Sequence, residues 1–172
     1  YSIVYTVKQG DSLIKIANRF HTTVSLIKKI NNIKGDIIIP GQKLKVVNVP
    51  FNLLIDKSQN TLMLKVKDEI IKTYVVATGK DNCTPTGTFR IINKLINPTW
   101  FKTGAVIPPD SPENILGSRW MGFDISGYGI HGTTDPRSLG KQVTQGCVRM
   151  SNKDVEELFI IVPEGTEVTI ID

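Results

Sequence analysis

A chain of 172 residues, 40% hydrophobic and 22% charged, has the make-up of a globular protein with one medium domain, or a small module joined to a medium one. No apolar run approaches the ~20 residues of a membrane helix, so no integral membrane segment is expected. The opening Tyr1-Ser2-Ile3-Val4 carries no signal peptide, and a start without Met leaves the export route open. The net charge of +5 suits an anionic partner, but Lys and Arg are scattered without a basic block, which argues against nucleic acid. Two cysteines, Cys83 and Cys147, with no CxxC pair, exclude a disulfide-rich scaffold and a zinc finger.

In chain order, Val4–Val7 alternates and predicts a strand. Gly10-Asp11 breaks it, and Asp11 is placed to cap a helix whose inner face is Leu13, Ile16, Ala17 and Phe20, at helical spacing. Thr22 or Thr23 caps a second helix with Leu26, Ile27 and Ile30 inward, ended by Asn31-Asn32 and Lys34-Gly35. Pro40-Gly41 turns the chain into a closing strand, Leu44–Val46. This β-α-α-β order in about 45 residues makes a core of marginal size, as expected of a binding module. Tyr5-Thr6-Val7-Lys8-Gln9-Gly10-Asp11-Ser12-Leu13, Ile16-Ala17 and Ile39-Pro40-Gly41-Gln42-Lys43-Leu44 resemble a LysM domain. That resemblance implies binding of N-acetylglucosamine glycans such as peptidoglycan or chitin. The groove would lie between two loops, with Gly10, Asp11, Ser12 and Leu13 on one side and Ile39 and Pro40 on the other. Each glycine or proline there can equally be only a turn former.

Past a junction at 48–52 the chain reads as strand-rich. Strands are expected at Leu53–Ile55 and Thr61–Val66, joined by a hairpin loop over 56–60, then at Tyr74–Ala77 and Thr88–Ile92. Residues 93–120, with Pro98, Pro108, Pro109 and Pro112, read as one long irregular loop. Ser151 to Asp154 resembles a capping box and opens a helix whose apolar face is Val155, Leu158, Phe159 and Val162, stopped by Pro163. A last strand follows at Val168–Ile171. The fold class is α+β: a small β-α-α-β module over residues 1–48, then a mostly-β, sandwich-like domain over 49–172 with one main helix.

Two segments carry candidate chemistry: Tyr128-Gly129-Ile130-His131-Gly132-Thr133 and Thr144-Gln145-Gly146-Cys147-Val148-Arg149-Met150. A thiol becomes a nucleophile when a base or a positive neighbour favours its thiolate, and histidine serves near neutral pH. The backbone N–H of Cys147, with that of Gly146 or Gln145, would stabilise the oxyanion formed on attack of a carbonyl. Arg149 would hold a carboxylate through paired hydrogen bonds. Trp100, Trp120 and Tyr128 are candidates for lining a substrate cleft, or for packing only. A lone cysteine or histidine is as readily structural. Cys83 has three readings: a spectator, a disulfide partner of Cys147, or a metal ligand with His131.

Ile130-His131-Gly132-Thr133 and Gly146-Cys147-Val148-Arg149-Met150 resemble the signature of the L,D-transpeptidase (YkuD-like) catalytic domain, and Thr144 fills its Ser/Thr place. Supporting segments are Ala77–Lys80, Thr84–Phe89, Asn97-Pro98 and Asn114–Gly122. The resemblance implies Cys147 as nucleophile, His131 as base oriented by the Gly132 carbonyl, and a substrate-binding role for Arg149 and Thr144. Gln145 stands where many members carry a histidine, which leaves the base to His131. The implied reaction releases the terminal D-alanine of a peptidoglycan tetrapeptide stem, holds a thioester, and passes the acyl group to an amine in a 3→3 cross-link, with no cofactor and no metal. Water as acceptor makes it an L,D-carboxypeptidase; a non-catalytic wall- or coat-binding protein is the third reading. The same resemblance implies carbapenem sensitivity, peptidoglycan glycan and stem peptide as partners, and a place in the bacterial envelope or wall; the missing signal adds a spore coat as an alternative, and a monomer is expected.

Overall fold

The structure, a computed structural model, describes residues 1–172. They divide into two compact units, Tyr1–Pro50 with Ile160–Pro163, and Phe51–Phe159 with Glu164–Asp172. In the first unit, strand β1 (Ser2–Thr6) is followed by helices α1 (Leu13–Arg19) and α2 (Val24–Ile30) and by strand β2 (Lys43–Val47). β1 and β2 pair antiparallel with Tyr5 opposite Leu44. Val7, Leu13, Ile16, Ala17, Ile27, Leu44 and Val46 form the core. Apolar residues three and four apart on each helix put one stripe inward.

The cap of α1 differs from expectation. Ser12, not Asp11, is the N-cap, its hydroxyl accepting from Lys15 N. Asp11 instead accepts from the Tyr5 hydroxyl at 2.6 Å and from Lys8 N at 2.8 Å, closing the turn after β1. Either side chain can satisfy a free helix-end amide; Asp11 has a stronger offer one turn away. Thr23 caps α2.

The second unit is built from strands β3 (Phe51–Asp56), β4 (Thr61–Val66), β5 (Glu69–Val75), β6 (Thr78–Gly79), β7 (Gly87–Ile96), β8 (Trp100–Lys102), β9 (Ala105–Ile107), β10 (Arg119–Phe123), β11 (Gly129–His131), β12 (Gln142–Thr144) and β13 (Val148–Arg149), then helix α3 (Asn152–Ile161) and strand β14 (Glu167–Ile171). Eight strands make one curled sheet in the order β13-β11-β10-β7-β14-β3-β4-β5. Period-two alternation puts Leu53 and Ile55, Leu62 and Leu64, and Val168 and Ile170 on one face. The register joins them into rows: Ile170, Ile55, Leu62 and Tyr74 lie side by side across four strands. α3 buries Val155 and Leu158. Its Glu157 accepts from the Tyr74 hydroxyl and from Lys72, each at 2.6 Å, tying the helix to the same face.

Two sequence expectations are corrected here. β5 (Glu69–Val75) starts five residues before the expected Tyr74–Ala77 and stops short of Val76 and Ala77, and β7 (Gly87–Ile96) runs past Thr88–Ile92 at both ends. Residues 93–120 are not one irregular loop: they hold the end of β7, the β8–β9 hairpin and the start of β10. The hairpin strands have three residues each and lie between prolines, so no alternation could accumulate. The only local sign was Thr103-Gly104, where Gly104 takes φ +80° at the turn.

Ile55 lies at the centre of the row and is fully buried, whereas Ile70 on edge strand β5 is 53% exposed. Ile55→Ala is expected to cost about 2–5 kcal/mol in chemical denaturation, and Ile70→Ala under about 0.5 kcal/mol. Equal effects would show that the row is not the core.

Candidate active site

The sheet places His131 and Cys147 by register. β11 runs antiparallel to β10 and parallel to β13, with Ile130 opposite Val148 and His131 opposite Arg149. Cys147 stands one residue before β13. Side chains two apart share a face, so Cys147 and Arg149 project on the side of the sheet that carries His131.

His131 is 2% exposed. Its Nδ1 lies 2.6 Å from Gly132 O. A carbonyl can only accept, so the proton sits on Nδ1 and Nε2 keeps its lone pair. Trp120 stacks on the ring, centroids 6.2 Å apart at 17°. Burial pushes the imidazole pKa down to about 4, against the Gly132 hydrogen bond, which raises it, and alongside the Arg149 charge, which lowers it further. The strand after His131 is fixed by Asn152, whose Oδ1 accepts from Ser118 N and Thr133 N, both at 3.1 Å. A Cβ on Gly132 would collide with that oxygen.

Cys147 occupies the turn between β12 and β13. The Thr144 hydroxyl donates to Cys147 O at 2.7 Å and accepts from Gly146 N at 3.1 Å. The Thr84 hydroxyl donates to Gly146 O at 2.8 Å. Gly146 takes φ +129°, and a Cβ there would stand 2.7 Å from the Tyr128 ring, so only glycine fits. The thiol is half-buried and donates to Gly127 O at 3.4 Å. Burial pushes its pKa up; a backbone hydrogen bond from Gly129 and the Arg149 charge pull it down, and Cys83 raises it. The resting site therefore holds a neutral thiol and a neutral imidazole.

The remaining candidate residues fall as follows. Gly146, expected among the oxyanion donors, has its N–H committed to Thr144, whereas the amides of Cys147 and Gln145 keep no intramolecular partner. The Gln145 residue is exposed. Arg149 is fixed by two backbone hydrogen bonds with Ala77, each 2.8 Å, and its Nε is buried without a partner. It lines an open cleft of about 460 Å³ with Asp135, Arg137, Ser138, Lys141 and Val143. Trp100 lies on the β8–β9 hairpin under the Lys102 ammonium, 5.1 Å from the ring centroid. Both cysteines are free, and no group of three His, Cys, Asp or Glu side chains is set to hold a metal.

In the first unit, Val7 N donates to Gln42 O and Gly41 N to Val7 O, both at 2.8 Å, which brings the 10–13 and 39–41 loops to one end of the strand pair. Gly10 has φ +87° and its carbonyl accepts from Lys15 Nζ. Ile39 and Pro40 are exposed, but Leu13 is buried and the Ser12 hydroxyl is used as the helix cap. Sequence reasoning missed Thr84, Lys57 and Asn152 as parts of the site's frame. Only Thr84 left a trace, within the Thr84-Pro85-Thr86-Gly87 segment.

A curled sheet whose parallel strand pair carries a buried, Nδ1-protonated imidazole, with a thiol in the turn just before the second strand, has the parts from which a cysteine–histidine site can be built. Residues 50–170 match the YkuD L,D-transpeptidase catalytic domain and residues 5–47 match the LysM domain. The chain belongs to the YkuD family of L,D-transpeptidases and carries a LysM domain at its start. It is 39% identical to L,D-transpeptidase YkuD of Bacillus subtilis (strain 168), with 98% of each chain covered. It is 41% identical to L,D-transpeptidase YqjB of the same strain, over 80% of this chain and 76% of that one. Solved structures share the fold. An L,D-transpeptidase from Mycobacterium smegmatis superposes with TM-score 0.59 at 21% identity, over 78% of this chain and 65% of that one. L,D-transpeptidase 3 from Mycobacterium tuberculosis, in complex with a faropenem-derived adduct, gives TM-score 0.60 at 17% identity, over 77% and 65%. The chain thus spans just under two thirds of those two solved chains.

The depressed His131 pKa makes stability pH-dependent. Unfolded, the ring takes its proton near pH 6.5; folded, only near pH 4. Between those values the unfolded state binds more protons, so stability falls as pH drops from 6.5 to 4, by up to about 3 kcal/mol from this residue alone. Unfolding free energies measured across that window are expected to fall less steeply for His131→Asn than for the native protein. Parallel curves would mean that His131 is not buried neutral.

Proposed function

We propose that the chain is a peptidoglycan L,D-transpeptidase acting through a thioester on Cys147. The observation that carries this reading is the Nδ1–H bond of His131 to the Gly132 carbonyl, which leaves Nε2 a free base on the sheet face that also carries Cys147. Membership of the L,D-transpeptidase family supplies the substrate class. A neutral pair does not need a standing thiolate: the proton moves to Nε2 as the bond to carbon forms.

In this mechanism the Cys147 sulfur attacks the carbonyl that links the third, diamino residue of a tetrapeptide stem to the terminal D-alanine. His131 Nε2 takes the thiol proton. The oxyanion is held by the Cys147 N–H, with Gln145 N–H as second donor. Collapse expels D-alanine, whose leaving nitrogen takes the proton from His131, and a thioester remains. The side-chain amine of a second stem attacks it and gives its proton to His131. The 3→3 amide forms as the thiolate leaves and is reprotonated. Arg149, with an unpaired Nε and no salt bridge, is the residue for the carboxylate of the terminal D-alanine. We assign residues 1–48 to glycan binding through the 10–13 and 39–41 loops, and residues 49–172 to catalysis. This places the protein at the wall, and no helix is long and apolar enough to cross a membrane.

Product analysis on a disaccharide-tetrapeptide tests this. The native protein is expected to release D-alanine and form a dimer of tripeptide donor and tetrapeptide acceptor, and Cys147→Ala to do neither. D-alanine with tripeptide monomer only would make the protein an L,D-carboxypeptidase. No D-alanine would leave a wall- or coat-binding protein.

A further inference from the structure

The nucleophile turn has a support that the transfer chemistry does not itself use. Gly146 C=O and Cys147 N–H are the two ends of one planar, trans peptide unit, so they point in opposite directions. Fixing the carbonyl aims the amide. Gly146 cannot do this alone, because a residue without Cβ tolerates both orientations of the adjoining peptide. Thr144 holds the flanking Gly146 N and Cys147 O; the grip on the peptide between them comes from Thr84, itself 2% exposed, whose hydroxyl donates to Gly146 O at 2.8 Å and accepts from Gly79 N at 2.8 Å.

Behind Thr84 lies Lys57, a lysine only 3% exposed. Its ammonium donates to Thr84 O at 2.7 Å and to Asn82 O at 3.3 Å, and it takes part in no ion pair. An ammonium buried against carbonyls alone is costly beside an apolar side chain of equal size, so stability does not explain it. The loop it grips is strained: Asp81 and Asn82 take φ +54° and +61°. Such conformations persist where the surroundings over-determine them. Here Gln142 Nε2 donates to Asn82 Oδ1 and to Lys57 O, and Asn82 Nδ2 donates to the Asp172 carboxylate. Thr84 joins the two, its carbonyl held by Lys57 and its hydroxyl reaching the nucleophile turn at Gly146 O.

We propose that Thr84, held by the buried Lys57, is a positioning residue that aims the Cys147 amide as the oxyanion donor. This rests on the thioester reading above. It predicts a loss confined to reactions that pass through an oxyanion.

Two reactions of Cys147 separate the possibilities. Acylation by a carbapenem forms a tetrahedral oxyanion; alkylation by iodoacetamide displaces iodide at a saturated carbon and forms none. Both rates are followed by mass spectrometry with the modification mapped to Cys147, on the full chain. Thr84→Val is expected to slow acylation about 100-fold, the scale of a lost oxyanion donor, and Lys57→Met about tenfold. Lys57→Met should add nothing in the Thr84→Val background, since both act through one contact. Thr84→Ser, which keeps the hydroxyl, should recover most of the rate. Alkylation should stay within about twofold throughout. Acylation and alkylation falling together, or acylation unchanged in Thr84→Val, would overturn the proposal while the thioester reading stands. A native protein that is alkylated but never acylated at Cys147 would overturn both.

Discussion

The site depends on one pairing, the short parallel contact of β11 with β13. Ile130 lies opposite Val148 and His131 opposite Arg149, and all three chemical side chains take their direction from that register. A shift by one residue would turn Cys147 and Arg149 to the other face and leave His131 alone. Two residues of strand cannot hold a register by themselves. β13 is therefore clasped on its other side by Ala77, which exchanges two hydrogen bonds with Arg149, and its end is fixed by Met150 N on His131 O. β11 is held from behind by β10, which also brings Trp120 onto the imidazole.

Given that placement, burial sets the electrostatics. Removing His131 from water disfavours the imidazolium, and removing the thiol disfavours the thiolate. The two effects point the same way, toward an uncharged pair at rest. The Gly132 carbonyl opposes the first only in part, but its larger effect is on geometry: it chooses the tautomer. A site of this kind has little charge of its own; Arg149 stands two residues from the thiol, and its cleft is shared by Lys141 and by Arg137, whose charge is paired with Asp135. Carbonyl, amide and hydroxyl contacts, not ion pairs, fix the reacting atoms.

Much of this was legible in the sequence, for identifiable reasons. Cys147 and His131 are rare residue types in glycine-flanked segments, and Gly146 and Gly132 mark places where the backbone must come close to something. The helix of Val155 and Leu158 and the alternating strands around Leu53, Leu62 and Val168 follow from period. The frame was not legible. Thr84 reaches Gly146 across 62 residues, Asn152 reaches Ser118 across 34, and Lys57 reaches Thr84 across 27. No periodicity records such contacts, and Lys57 read as an ordinary hairpin-loop lysine. Ser12 took the cap expected of Asp11 because both can cap, and only the position of Tyr5 decides between them. Leu13 read as part of a binding loop, yet its helical spacing with Ile16 and Ala17 already placed it inward. The β8–β9 hairpin was hidden by the prolines around it.

As a nucleophile set beside amide donors and a base, Cys147 should be acylated where the second, exposed thiol, Cys83, is not. The most direct measurement is intact mass after incubation with a carbapenem, for the native protein and for Cys147→Ala, both kept reduced. One adduct on the native chain and none on the variant is the expected result. No adduct on the reduced native chain, or an adduct that survives Cys147→Ala, would contradict it.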